Sequence, residues 1–159
     1  MGLGLIAAVL VAVVDQLTKY WVLGFFAARG GVPVVEVTSF FNLVLTGNRG
    51  VSFGLFNNDS GMNIAIFTVV AAAIVVGLLV WLRRAESALL RIAIGMVIGG
   101  AIGNVADRLM PSRGAVVDFL DFHLGDWHWF AFNIADSAIC LGVAALLIDG
   151  LLGRRETRR

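Results

Sequence analysis

Asp118 and Asp136 are the residues whose type and setting suit chemistry best, and the chemistry is acid–base. Asp118 follows Val116-Val117, and Asp136 lies in Asn133-Ile134-Ala135-Asp136-Ser137, where a helical run begins. Asn133 and Ser137 share its helical face and can hydrogen-bond it. If Asp118 folds back beside Asp136, two carboxyls occupy a low-dielectric site, where like charges cannot both ionise and the pair keeps one proton. One carboxylate can then take a proton from water while the other acid donates to a carbonyl oxygen. A helix cap and salt bridges are the plainer account of the same two acids. No serine–histidine pairing competes. One cysteine, Cys140, and two histidines, His123 and His128, leave no basis for a disulfide framework, a metal site or a cofactor.

Two further groups of ionisable residues lie inside apolar runs, where an unpaired charge costs several kcal/mol and usually faces a partner or a wet cavity. Asp15 and Lys19 are four apart on one helical face and can pair. A structural ion pair is favoured over direct chemistry for them. Gly95, Gly99 and Gly103 recur every fourth residue, a small-residue stripe that lets helices approach closely in lipid. It ends in Asn104, Asp107 and Arg108, again on one face. Arg108 is placed to hold Asp107 or a nearby carboxylate ionised, or to fix the helix end in a salt bridge.

The elements that must position these residues are membrane spans. Of 159 residues, 59% are hydrophobic and 14% charged, with a mean hydropathy of +0.91; soluble domains run at about 45–50% apolar and about 25% charged. Apolar runs of spanning length lie at about 3–26, 61–82, 88–109 and 134–152. Asp15 and Lys19 inside the first run, and the lack of a basic segment before it, argue against a cleaved signal peptide. Arg83, Arg84 and Arg91 between the second and third runs, and Arg154, Arg155, Arg158 and Arg159 after the fourth, predict those ends and both termini to be cytoplasmic. The segments at about 27–60 and 110–133 then face outward, on the side where most acids lie. Val35-Glu36-Val37-Thr38-Ser39 and Phe41-Asn42-Leu43 predict short strands on the membrane surface. Phe119, Phe122, Trp127, Trp129, Phe130 and Phe132 suit an interfacial aromatic belt. Residues 1–159 are read as one polytopic domain, and no nucleic-acid partner is expected.

Five segments, in order, resemble the bacterial lipoprotein signal peptidases, or signal peptidase II. Asp15-Gln16-Leu17-Thr18-Lys19 is similar to a first-span DxxxK element. Asn48-Arg49-Gly50-Val51-Ser52-Phe53 resembles an N-x-G-x-x-F motif. Gly99 to Arg108 fits GGAxGNxxDR, and Val116 to Phe119 and Phe132 to Ser137 are similar to the segments bearing the catalytic aspartates. Each is weak alone; together they are specific. The resemblance implies an all-α membrane protein of four transmembrane helices with a small extracytoplasmic β-cradle, in the bacterial cytoplasmic (inner) membrane. It implies an aspartic mechanism with Asp118 and Asp136 as the dyad near the outer face, and Asp15, Lys19, Asn48, Gly50, Asn104, Asp107, Arg108 and Asn133 lining or bracing the site. The implied substrate is a diacylglyceryl-modified prolipoprotein, cut just before the lipidated cysteine, with membrane lipid as a further partner and the inhibitor globomycin in the same cleft. Phe130 stands where many members have proline, and Arg49 where many have threonine.

Two other readings exist for such a chain. A small ion- or proton-coupled transporter also carries intramembrane acids and lysines, but it predicts them through the whole membrane depth, and here they crowd one half. A structural subunit would need only the glycine stripe and leaves Asp118, Asp136 and Asn48 unexplained.

Overall fold

The computed structural model describes residues 1–48 and 61–156. Along the chain run α1 (Gly2–Ala28), β1 (Val34–Thr38), β2 (Phe41–Asn48), α2 (Gly61–Arg84), α3 (Ala88–Leu109), β3 (Val116–Leu124), β4 (Trp127–His128) and α4 (Ile134–Glu156). All four helices are long and apolar enough to cross a membrane, close to the expected runs. Their outward surfaces are themselves apolar: Ile6, Val9, Leu17, Val69, Val76 and Leu147 are all more than half exposed. Such a surface suits lipid, since soluble helices restrict apolar residues to one stripe.

Lipid chains give no hydrophobic drive for helix pairing, so the bundle relies on close backbone approach and on polar contacts. The α3 helix is central and packs on α1, α2 and α4. Gly95 and Gly99 lie against the backbone of Gly4 and Ala8 in α1, and a β-carbon at Gly103 would stand 2.5 Å from Asp15 Oδ2. On the other side Gly100 faces the Ala135 carbonyl of α4 at the same hypothetical 2.5 Å. The stripe thus seats α1, and Gly100 beside it seats α4. Gly99→Val should push α1 away and lower stability by about 1–3 kcal/mol, the usual cost of overpacking. Thermal unfolding in detergent measures it; an unchanged midpoint would mean that α1 does not need this seat.

At the arginine-rich end α2 and α3 are joined by a short turn. Ser87 caps α3 by accepting from Leu90 N at 2.9 Å, and its hydroxyl donates to Asp149 of α4 at 3.0 Å. At the opposite end a four-stranded antiparallel sheet in the order β1-β2-β3-β4 covers the bundle. Phe119 of β3 packs on Val22 and Phe26 of α1 and fixes the sheet to it.

The first two strands fall where the alternation places them. The strand β3 was not expected from residue pattern, since its segment reads as an aromatic belt. Its ladder with β2 pairs Asn42 with Asp121, Thr46 with Asp118 and Asn48 with Val116, with an irregularity between Leu43 and Thr46. After β4 the chain returns alongside β3, where Leu120 and Phe132 exchange backbone hydrogen bonds of 2.9 and 3.0 Å. That return sets Asn133 and the start of α4 beside the Asp118 strand.

Candidate active site

Asp118 and Asp136 meet where sheet and bundle join, and Asn133 links them. Its Nδ2 donates to Asp118 Oδ1 at 2.6 Å. Its Oδ1 accepts from Asp136 N at 2.9 Å, and its own backbone N–H donates to Asp136 Oδ2 at 3.3 Å. The last two bonds form a reciprocal capping box at the start of α4. Asp136 is therefore a helix-cap partner as well as a candidate site residue, and the plainer reading of its position is part of the geometry. Asn133 is wholly buried and Asp118 is 2% exposed.

Each carboxylate has a second amide neighbour. Asn104 of α3 donates to Asp136 Oδ1 at 2.8 Å, and the Asn48 side chain hydrogen-bonds Asp118. Burial, followed by the charge of Asp136, pushes the Asp118 carboxyl up to about 7, against the opposing pull of the Asn48 and Asn133 hydrogen bonds and the Lys19 charge. The site thus holds two acids in one electrostatic environment, and Asp118 keeps its proton to a higher pH than an ordinary aspartate.

Behind Asn104 lies a buried ionic network. Lys19 Nζ sits 2.8 Å from Asp15 Oδ2, 2.7 Å from Asp107 Oδ2 and 3.1 Å from Asn104 Oδ1, with no exposure for Lys19, Asp15 or Asp107. The Asn104 carbonyl faces the ammonium and its amide N–H faces Asp136, so the lysine fixes which way the amide points. Asp15 also accepts from Ala135 N at 2.9 Å and supports the first turn of α4 from outside. Asp107 accepts from Val117 N at 3.1 Å, which ties α3 to the strand bearing Asp118.

The structure brings Asp15, Lys19, Asn48, Asn104, Asp107 and Asn133 together around Asp118 and Asp136. Gly50 and Arg49 lie outside the described residues. Asp107 pairs with Lys19 and with Arg113. Arg108 lies over the Phe67 ring at 5.6 Å, with the charges of Asp136, Asp118 and Asp107 all acting on it.

Two residues of the network escaped sequence reasoning. Gln16 donates to Asp107 Oδ1 at 3.0 Å and to the Gly103 carbonyl at 3.1 Å, and Arg113 bonds both Asp107 and Gln16 Oε1. Gln16 adjoins Asp15 in an apolar run, a signal that was available. Arg113 is in a turn, where helical spacing says nothing. A third group lies on the other face of the sheet, since Asp121 is an odd number of residues from Asp118. There Asn42 donates to Asp121 at 2.9 Å and the His128 ring nitrogen lies 2.9 Å from the same carboxylate.

Four apolar helices, a small sheet over one end and a carboxylate pair at the junction, one member buried and one half-buried, define a polytopic membrane protein with a candidate acid-lined site. The chain belongs to the signal peptidase II family, whose sequence model matches residues 7–152. It is 46% identical over 156 residues to a lipoprotein signal peptidase of Rhodopseudomonas palustris (strain TIE-1), spanning 95% of this chain and 93% of that one. A lipoprotein signal peptidase of Yersinia enterocolitica is 42% identical over 151 residues, 94% of this chain and 86% of the relative. Two solved bacterial membrane enzymes, determined by the in meso method at 2.3 and 1.9 Å resolution, share the fold. They superpose with TM-scores of 0.80 and 0.76 at 27% and 28% identity, over 100% and 95% of this chain and 93% and 94% of theirs. Family and helices together make this a bacterial inner-membrane peptidase, and the transporter reading is not favoured.

Proposed function

We propose that the protein is an aspartic endopeptidase that removes the signal peptide from diacylglyceryl-modified prolipoproteins, cutting just before the lipidated cysteine. The observation that supports the reading is the Asn133 bridge between two carboxyls, the buried Asp118 and the half-buried Asp136. The names of the relatives supply the substrate class.

In this mechanism the pair shares one proton. The ionised member removes a proton from water as the water oxygen attacks the scissile carbonyl, and the protonated member gives its proton to the carbonyl oxygen. When the tetrahedral species collapses, the C–N bond breaks and a proton passes to the leaving amine. Asn133 and Asn104 hold the carboxyl oxygens in place, and Lys19 holds Asn104. Both termini are cytoplasmic and the site lies near the outer face in this reading, which the arginine distribution supports. Purified protein incubated with a lipidated lipobox peptide tests it. Cleavage before the modified cysteine supports the assignment, and intact peptide under conditions where the enzyme stays folded rejects it.

The pH dependence follows from the Asp118 setting. Activity needs the singly protonated pair, so kcat/KM should rise, level and fall as pH increases, with apparent values belonging to the pair. The stability sign is opposite to that of a salt-bridged aspartate. Folding raises the Asp118 carboxyl from 3.8 to about 7, so the native state binds the proton more tightly than the unfolded chain does. Stability from this group is present below about pH 4 and is lost as pH rises to about 7, by up to about 4 kcal/mol. Asp118→Asn removes that loss. Its melting temperature should exceed that of wild type at pH 8, and the gap should close towards pH 4. Equal melting at both pH values would mean that Asp118 is not held in this way.

A further inference from the structure

A second site lies on the face of the sheet turned away from Asp118. A cleft of about 970 Å³ opens between α1, the end of β2 and the turn before β3, lined among others by Trp21, Gly24, Phe25, Thr46, Gly47 and Arg113. Val117 also lines it, and it points to the opposite side of β3 from Asp118; no member of the carboxylate pair lines the cleft. The volume is at the upper end of the range for small-molecule sites, about 300–1,000 Å³.

Position and chemistry identify the occupant. Tyr20 and Trp21 are 76% and 59% exposed on a membrane-spanning helix, so the mouth of the cleft faces lipid. Tyrosine and tryptophan settle at headgroup depth, and Trp21 stacks on Phe25 with ring centroids 5.4 Å apart. At the polar end stands Arg113, whose side chain is 9% exposed. Its NH1 is held by Asp107 and Gln16; among the described residues no hydrogen bond engages Nε or NH2, which are not sealed from solvent. A half-buried guanidinium, fixed through one nitrogen with the other two within reach of a ligand, suits the oxygens of a phosphate. Arg29 places a further cation 4.5 Å over the Phe25 ring.

We propose that this cleft binds a membrane glycerophospholipid, its phosphate on Arg113 and its acyl chains along Trp21 and the lipid-facing side of α1. The site is separate from the reaction assigned above. Through Asp107 and Gln16 the bound lipid would consolidate the network behind Asn104.

The test uses the full chain, delipidated in a neutral detergent, with bound lipid read by native mass spectrometry and by melting temperature. Dioleoylphosphatidylglycerol should bind as one retained molecule and raise the melting temperature. Dioleoylglycerol, with the same chains and no phosphate, should bind at least about tenfold more weakly, and inorganic phosphate should not change the melting. Arg113→Gln should weaken phospholipid binding about tenfold or more. Gly24→Leu gives a variant that leaves the ion network alone, because a β-carbon there meets nothing within 4 Å; its longer side chain should fill the cleft and displace the lipid. Equal retention of the two lipids, the same melting shift from inorganic phosphate, or undiminished phospholipid binding by Gly24→Leu would each overturn the proposal. If Arg113→Gln does not fold, the lipid comparison and Gly24→Leu still decide it.

Discussion

Asp118→Asn and Asp136→Asn should each abolish cleavage of a lipidated lipobox peptide, by at least about 10²-fold, while the protein remains folded and inserted. An asparagine keeps the size of the side chain and can neither take a proton from water nor return one. The two variants should differ in their structural effects. Asp118 sits in β3 under hydrogen bonds from Asn133 and Asn48, and a neutral residue there relieves a buried charge. Asp136 belongs to the capping box of α4, and asparagine keeps an oxygen that can accept from Asn133 N. Neither change should unfold the chain. Rates measured beside a melting curve for each variant check this, and near-normal turnover in either one removes that residue from the reaction.

Lys19→Met should carry the largest stability cost. Methionine fills a similar volume but leaves Asp15 and Asp107 buried with one counter-charge fewer, and breaking a buried pair from one side costs about 3–5 kcal/mol. The loss should spread beyond α1. Asp15 supports the first turn of α4 through Ala135 N, Asp107 holds β3 through Val117 N, and Asn104 loses the ammonium that orients its amide towards Asp136. Adding Asp107→Asn should recover part of the stability, since it removes one of the stranded charges. Expression and melting in detergent measure both effects. A single variant as stable as wild type would show that the network is dispensable to the bundle.

The helices and the short list of acids, amides and cations worth considering were legible in the chain because both signals are local. A run of about 20 apolar residues specifies a span wherever it occurs, and an ionisable side chain within one must have a reason to be there. The glycine stripe that seats α1 was legible in the same way, whereas Gly100, which seats α4, lies outside its four-residue spacing. Strand β3 was obscured because Asp118, Asp121 and His123 interrupt its apolar residues, and its aromatics suited the membrane interface equally well.

What the sequence by itself determined is which segments cross the membrane and which side chains are too costly there to be accidental. Tertiary structure alone decided who meets whom. Spacing along a helix reports neighbours on that helix only, so it offered Arg108 for Asp107 or a nearby carboxylate and could not show Lys19 from α1 and Arg113 from the turn before β3 on Asp107. In the same way Asp118 and Asp136 become one site only because the chain turns at β4, pairs Phe132 with Leu120 and delivers Asn133 between them. Hydrogen bonds between elements depend on that path through space, and no local pattern of residues encodes it.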